Sequence, residues 1–525
     1  MANRTWDKES AEDRIRTRLN EVENVFIKDY VRDTDLFNLP NGNAYRVDGV
    51  HLYVDILNMD DMLGTTAFEG TTAHKRTLRF LNLHYRAARR VLIDVDAIQV
   101  DFHNQRLHAV FAKPYGDEAA RVHRAVATAQ LIIDVLANTG ENSDDPLPGA
   151  KIRVGIDTGK ALAVNNGRRG HREPLFLGPP ANLAAKRAGG GKKAGIFITG
   201  NARDAIDLDA VDDVDATALN ADEIKASQDK AKLDVTVDQV VKEWEQGLKD
   251  HPIACIVFYT HTPPYRDLDI ETLASANSRR QDAVSIYADI DGFTKYVNER
   301  VEDDDEAEDV VRALHVLRSE LDAVLHDDFA GRKIRFIGDC VHGVLIEGTA
   351  ATTDGAETAK NSMLCAAAMR SSFDAALDVL EEEGIDTGDL GLAIGIEYGP
   401  IAITRLGIKG EKIRCCISRS VLQSEAEQLR CGGTQTAIGE EINKRAPSAL
   451  TNLFGTSRRQ KDFHYDQAIE ALENAARVAK TRSASSSSLL RPATPAAGAG
   501  AAAAAAGFSF PATAAAPSKT PAGFA

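Results

Sequence analysis

Ser285-Ile286-Tyr287-Ala288-Asp289-Ile290-Asp291-Gly292-Phe293-Thr294 is answered by Lys333-Ile334-Arg335-Phe336-Ile337-Gly338-Asp339-Cys340, and these two runs decide the fold. Each is an apolar run that ends on a carboxylate at a turn. The first predicts a buried strand with Asp289 at its C-terminal edge, then Gly292 and the start of a helix. The second predicts a strand, a two-residue Gly338-Asp339 turn and a return strand over 340–345, which is a hairpin pattern. If the two strands are neighbours, Asp289 and Asp339 meet at one sheet edge. Carboxylates so placed repel unless a cation lies between them, and hard oxygen donors suit Mg²⁺ or Mn²⁺. A helix opening after Asp291 aims the N–H groups of Gly292, Phe293 and Thr294 at an anion beside that cation. The pattern points to a divalent metal next to a phosphate cradle.

The same order of signals occurs twice. Tyr53-Val54-Asp55-Ile56 corresponds to Tyr287-Ala288-Asp289-Ile290, and His108-Ala109-Val110-Phe111 to His342-Gly343-Val344-Leu345, both at a separation of 234 residues. Val154-Gly155-Ile156-Asp157 corresponds to Ile394-Gly395-Ile396-Glu397, and Gly178 to Ser418, both at 240. Four matches in fixed order, with one change of offset, identify a diverged tandem duplication. Each copy reads strand–helix–hairpin–helix–strand–strand–helix–strand, an α+β arrangement of the ferredoxin-like βαββαβ kind.

The chain therefore divides into an N-terminal helix (1–44), a first domain (45–206), an acidic insertion with a last strand and helical linker (207–282), a second domain (283–470) and a tail (471–525). Ile15, Leu19, Val22, Phe26 and Tyr30 predict an amphipathic helix over 9–31 that packs on the domain following it. The stretch 207–250 is acidic and helix-prone, with Val237, Val240, Val241 and Trp244 at helical spacing, and reads as insertion rather than core. A helical lead-in is expected over 273–282. From about Ser483 onwards Ser, Ala, Pro and Gly dominate, a composition that cannot bury enough apolar surface to fold, so a disordered tail is expected.

A chain of 525 residues exceeds one ordinary core. Its net charge of −16 argues against a nucleic-acid duplex as partner, though not against a compact anion held by metal. The six cysteines show no CxxC spacing and mostly lie in apolar segments, as buried thiols of a reducing cytosol do. No signal peptide and no run of membrane-spanning length is seen, so a cytoplasmic protein is expected.

The segments Asp289–Thr294, Ile337–Cys340 and Gly395-Ile396-Glu397-Tyr398-Gly399-Pro400 resemble the three signature segments of class III nucleotidyl cyclases. In the first copy, Gly155-Ile156-Asp157-Thr158-Gly159 and Glu173 through Ala185 add to the resemblance, which covers roughly residues 45–200 and 280–440. It implies a pseudo-heterodimer of two cyclase domains within one chain, one giving the metal-binding pair and the other the groups that steer the ribose. On that pattern Asp289, Asp339 and the Ile290 carbonyl bind two Mn²⁺ or Mg²⁺ ions, and Asn182 and Lys186 (or the neighbouring Arg187) are catalytic. Gly292, Phe293, Thr294 and Arg405 bind the triphosphate, with Arg168-Arg169-Gly170-His171-Arg172 a further basic candidate. The other pocket sets Asp55 against Leu422 and Ala426, with Asn104-Gln105 in place of Gly338-Asp339, and is expected to be inactive.

Two family positions read the base, and in the intact pocket they map to Asp101 and Leu175; the inactive pocket has Arg335 and Cys415. A carboxylate accepts from the N3–H of uracil or the N1–H of guanine, whereas adenine has no such proton, so pyrimidine and guanine both stay open. The segments His342–Val344 and Ser418-Arg419 with Ser424-Glu425 resemble the pyrimidine cyclases of bacterial Pycsar antiphage systems. That resemblance implies conversion of UTP to cyclic UMP, a messenger for a separate cyclic-nucleotide-responsive effector. The alternatives are an adenylate or guanylate cyclase, or a catalytically silent pair that senses a nucleotide.

Overall fold

The computed structural model describes residues 4–32, 34–36, 39–64, 66, 68–140, 146–166, 173–410 and 412–486. The first half contributes α1 (Lys8–Asn20), β1 (Asn43–Ile56), α2 (Thr71–Asp94), β2 (Ile98–His103), β3 (Arg106–Phe111), α3 (Glu118–Asn138), β4 (Ile152–Asn166), β5 (Glu173–Leu177), α4 (Pro179–Gly189), β6 (Gly195–Ile198), α5 (Ala221–Ala231) and α6 (Val237–Asp250). The second half follows the same plan. It contributes β7 (Ser278–Asp291), α7 (Phe293–Arg300), α8 (Asp304–Ala323), β8 (Arg332–Ile337), β9 (Cys340–Leu345), α9 (Gly355–Glu382), β10 (Gly391–Leu406), β11 (Ile413–Ile417), α10 (Arg419–Leu429), β12 (Gln435–Ile438) and α11 (Tyr465–Ser486).

One sheet runs β2-β3-β1-β4-β5 with β6 on β4, and the other β8-β9-β7-β10-β12 with β11 on β10. Their registers agree residue by residue. Tyr53 faces His108 and Gly155, as Tyr287 faces His342 and Gly395. Along β1 the period-2 pattern sends Val50, Leu52, Val54 and Ile56 into a core with α2 and α3. His51, Tyr53 and Asp55 alternate with them. In β7 the same alternation buries Val284, Ile286, Ala288 and Ile290 against α8 and α9, and gives the opposite face Ser285, Tyr287 and Asp289.

The two polar sheet faces meet, and each half lends apolar residues to the other's core. Leu162, Val164, Leu175 and Leu177 of β4 and β5 pack in the second-half cluster, while Ala402, Leu406, Cys415 and Ile417 of β10 and β11 pack in the first. Each large aliphatic side chain buried in this way stabilises by about 2 kcal/mol. Pulling the halves apart would expose all eight.

Four expectations need correction. The N-terminal helix ends at Asn20, a short strand follows at Phe26–Asp29, and Ile15, Val22 and Val25 join the second-half core instead of the domain next in sequence. Arg14 seals that docking, 2.7 Å from Glu320 and 2.9 Å from Asp328. Periodicity marks an apolar face but does not name its partner. The acidic stretch 207–250 folds into α5 and α6 on the first half, where Val240 and Trp244 are buried and the Trp244 indole N–H donates to the Leu83 carbonyl at 3.1 Å. The lead-in over 273–282 is a single 3₁₀ turn at Ser275–Asn277 followed by the start of β7, whose pairing with β10 extends back to Arg279. Beyond 470 the chain continues as α11 to Ser486, and the Ala- and Pro-rich remainder lies outside the described residues.

Candidate active site

Asp289 stands two residues before the end of β7, opposite Ala393 of β10. The hairpin closes as predicted, with Ile337 paired to Cys340 across Gly338-Asp339 and Gly338 at φ +62. Asp339 is 2% exposed. Burial, then the charges of Asp289 and Asp339, drive the Cys340 thiol far above its ordinary range. Gln428 of α10, itself fully buried, donates from Nε2 to Asp289 Oδ2 at 3.1 Å and fixes the carboxylate. Gly292 then takes the left-handed conformation (φ +84) and α7 opens at Phe293 with no side-chain cap, leaving first-turn N–H groups for an anion. The Phe293 ring is buried in the core, so only its amide can serve. Ile290 is also buried and pairs with Leu392.

Asn182 closes the first turn of α4, behind Pro179-Pro180. It is 4% exposed, and its Nδ2 lies 3.4 Å from Asn298 Oδ1 on α7. The amide thus crosses the seam to the helix that starts beside Asp291. Lys186 is exposed one turn further along α4, while Arg187 is committed to Asp215 at 2.8 Å. Arg405 is not brought to this end: Glu271 at 3.2 Å and the Lys412 carbonyl at 3.1 Å hold it at the far end of β10. The expected triphosphate role for Arg405 is therefore withdrawn. The loop 168–172 lies outside the described residues.

The base-reading positions are arranged differently from the expectation. Asp101 and Arg335, assigned to separate pockets, form one ion pair across the seam at 2.5 Å, and Arg335 also donates to the Phe102 carbonyl at 2.7 Å. Leu175 is buried among the residues that cross into the second-half core. The residues that sequence reasoning missed are Gln428, Asn298 and Arg106; Glu425 was marked by the resemblance, but its contact with Arg106 was not. Arg106 had a signal, since it lies 234 positions before Cys340 in the established repeat.

Four buried histidines line the meeting faces: His51 and His108 (ring nitrogens 3.1 Å apart), His103, and His342, which lies 3.2 Å from the Ser285 hydroxyl. Burial holds His51 and His342 down to about 3, and His103 and His108 well below the usual imidazole value. A histidine that is neutral when folded binds its proton more readily when unfolded. Its stabilising contribution is complete above pH ~6.5 and declines as pH falls toward the folded value, by about 1.4 kcal/mol per pH unit. Asp55 and Asp157, raised by burial to about 6 and about 7, act in the opposite sense between pH ~4 and those values. His342→Gln should therefore flatten the dependence of stability on pH between 6.5 and 5 by about 1.4 kcal/mol per unit, measured by urea unfolding. An unchanged slope would remove His342 from the acid response.

Among the described residues no group of three or more His, Cys, Asp or Glu side chains gathers as a metal cluster. The donor set that exists is two carboxylates, all oxygen, which fits a hard divalent cation completed by substrate oxygens and water.

A family profile for the adenylate and guanylate cyclase catalytic domain matches residues 276–435. A Pseudomonas aeruginosa protein named uridylate cyclase is 56% identical over 474 residues, 90% of this chain and 92% of that one. A second protein of that name, from a Rhizobium species, is 38% identical over 440 residues, 80% of this chain and 82% of its own. The crystal structure of a class III adenylyl cyclase-like ATP-binding protein from Pseudomonas aeruginosa aligns with a TM-score of 0.87 at 55% identity, covering 90% of this chain and all of the other. The mixed α/β fold is that of a nucleotide cyclase. The chain belongs to the class III nucleotidyl cyclases, in one family with these two uridylate cyclases. Cyclases of this class act on a nucleoside triphosphate with divalent metal ions.

Proposed function

We propose that the chain converts UTP to 3′,5′-cyclic UMP and pyrophosphate at one site, built as an intramolecular pseudo-heterodimer from both halves. The observation that carries this reading is the reach of Asn182 across the seam to Asn298, on the helix that follows the Asp289 strand. The names of two relatives that cover most of the chain support UTP.

Asp289 and Asp339, with the Ile290 carbonyl, would hold two Mn²⁺ or Mg²⁺ ions. Such ions, when bound, lower the pKa of the 3′-hydroxyl and neutralise the triphosphate. Gln428 keeps the Asp289 carboxylate in one orientation. Asn182 holds the ribose so that the 3′-oxygen lies in line with the α-phosphorus; the new O–P bond forms there as the bond to pyrophosphate breaks. Lys186 donates to the α-phosphoryl oxygens as charge builds, a contribution typically worth ~10²–10³ in rate. The amides of Gly292, Phe293 and Thr294 receive the β and γ phosphates at the start of α7. Asp101, steadied by Arg335, accepts from uracil N3–H, and Leu175 supplies an apolar wall. The product serves as an antiphage messenger for a separate effector protein.

A second reading, ATP as substrate, is favoured by one observation: the similar crystal structure is described as an ATP-binding protein. Incubating the purified chain with Mn²⁺ and each of the four ribonucleoside triphosphates, with products identified by mass, separates the two. Cyclic UMP should exceed every other cyclic product by at least about tenfold, since a polar mismatch at a base edge discriminates on that order or more. Cyclic AMP as the main product would replace the UTP reading.

A further inference from the structure

The Asp55 end of the molecule repeats the Asp289 end, and one side chain decides what each can hold. At the Asp289 end the residue after the hairpin turn is Cys340, beside Asp289 because Val341 pairs with Ala288. Its counterpart is Arg106, which faces Asp55 directly across β1 and β3. The Arg106 side chain is buried, donates from Nη1 to Glu425 Oε1 at 2.7 Å, and sets Nε 3.8 Å from Asp55 Oδ1. Glu425 comes from α10 of the second half and Asp55 from β1 of the first, so one guanidinium spans the seam. Glu425 is buried, and Asp55 keeps only 14% of its side chain exposed; its Oδ1 is buried with no hydrogen-bond partner among the described residues. Asn104 takes the left-handed turn position (φ +48) that Gly338 takes in the other half (φ +62). Its side-chain oxygen accepts from the Cys416 N–H at 3.3 Å, which docks this turn onto β11.

We propose that Arg106 is a resident cation standing where a divalent metal would have to bind at the Asp55 end, and that the Asp55–Arg106–Glu425 triad clamps the two halves together. The chemistry is a matter of charge. Two carboxylates so enclosed stay ionised only beside a cation, and a guanidinium in a protein keeps its proton. Cys340, at the equivalent place of the Asp289 end, brings no positive charge. Arg106 brings its own, which fills the site permanently and ties β1 to α10. This assignment does not depend on which nucleotide the enzyme uses.

The test uses the full chain carrying Asp289→Ala and Asp339→Ala, which removes the other acidic pair, with and without Arg106→Ala. Adding Arg106→Ala should lower the thermal midpoint by on the order of 5 °C. Saturating Mn²⁺ should then restore at least half of that loss, and shift the Arg106-containing parent by none. Equal Mn²⁺ response in the two proteins, or an unchanged midpoint, overturns the proposal. Folding of the Arg106→Ala chain only in the presence of Mn²⁺ would support it outright. Should that chain fold in neither condition, Arg106→Met, Glu425→Leu and their combination decide. The double variant should be more stable than the sum of the single losses predicts, and additive losses overturn the clamp.

Discussion

Asp289→Ala should abolish turnover, with kcat reduced by at least about 10³-fold, while Asp55→Asn should leave kcat within about twofold of the parent. The asymmetry follows from what surrounds two residues at equivalent places in the repeat. Asp289 shares its end of the sheet with Asp339 and is held by Gln428 at 3.1 Å. Removing it leaves one carboxylate for a doubly charged ion and a triphosphate. Asp55 faces a guanidinium that already fills its site, and Asn preserves its volume and one acceptor. Steady-state rates with Mn²⁺, accompanied by thermal midpoints to confirm folding, measure both. Asp339→Ala should fall with Asp289→Ala. Comparable losses from Asp289→Ala and Asp55→Asn would overturn the division into one working and one closed pocket.

Much of this was legible because the chain states its plan twice. The 234-residue offset found in Tyr53/Tyr287 and His108/His342 reappears as identical strand register, since both pairs lie on the same two strands of each sheet. The hairpin at Gly338-Asp339 was readable from turn chemistry, and so was its counterpart at Asn104-Gln105. Contacts across the seam were not readable. Asp101 with Arg335, and Arg106 with Glu425, are 234 and 319 positions apart, and alternation tells which face a residue occupies without telling what lies opposite. The acidic insertion misled for a related reason. Its charges are the solvated face of α5 and α6, while the stripe through Val240 and Trp244 is what packs. Arg405 misled because an isolated arginine on a strand carries no sign of the carboxylate that will claim it.

Gly155→Ala and Gly395→Ala should each cost about 10²-fold in kcat although neither residue meets substrate. A methyl group on Gly395 would lie 2.2 Å from the Gln428 nitrogen and 2.3 Å from the Ser424 carbonyl oxygen. On Gly155 it would lie 2.0 Å from the Ala184 oxygen and 2.4 Å from the Ala188 nitrogen. All four are helix backbone atoms, so relief requires α10 or α4 to move off its sheet by about 1 Å. Overpacking of that kind costs about 1–3 kcal/mol, and a displacement of about 1 Å at a reacting geometry costs about 10² in rate. The two variants should fail differently. Gly395→Ala moves Gln428 away from Asp289 and should weaken Mn²⁺ binding as well as kcat. Gly155→Ala moves Asn182 and should lower kcat with Mn²⁺ affinity unchanged. Gly247, half-buried on α6 with open space where a methyl group would stand, is the control: its change to Ala should leave kcat unaltered and stabilise slightly through helix propensity. Calorimetric Mn²⁺ titration beside the rate measurement distinguishes the two failures. Wild-type kcat in either glycine variant would show that close approach of helix to sheet does not set the site.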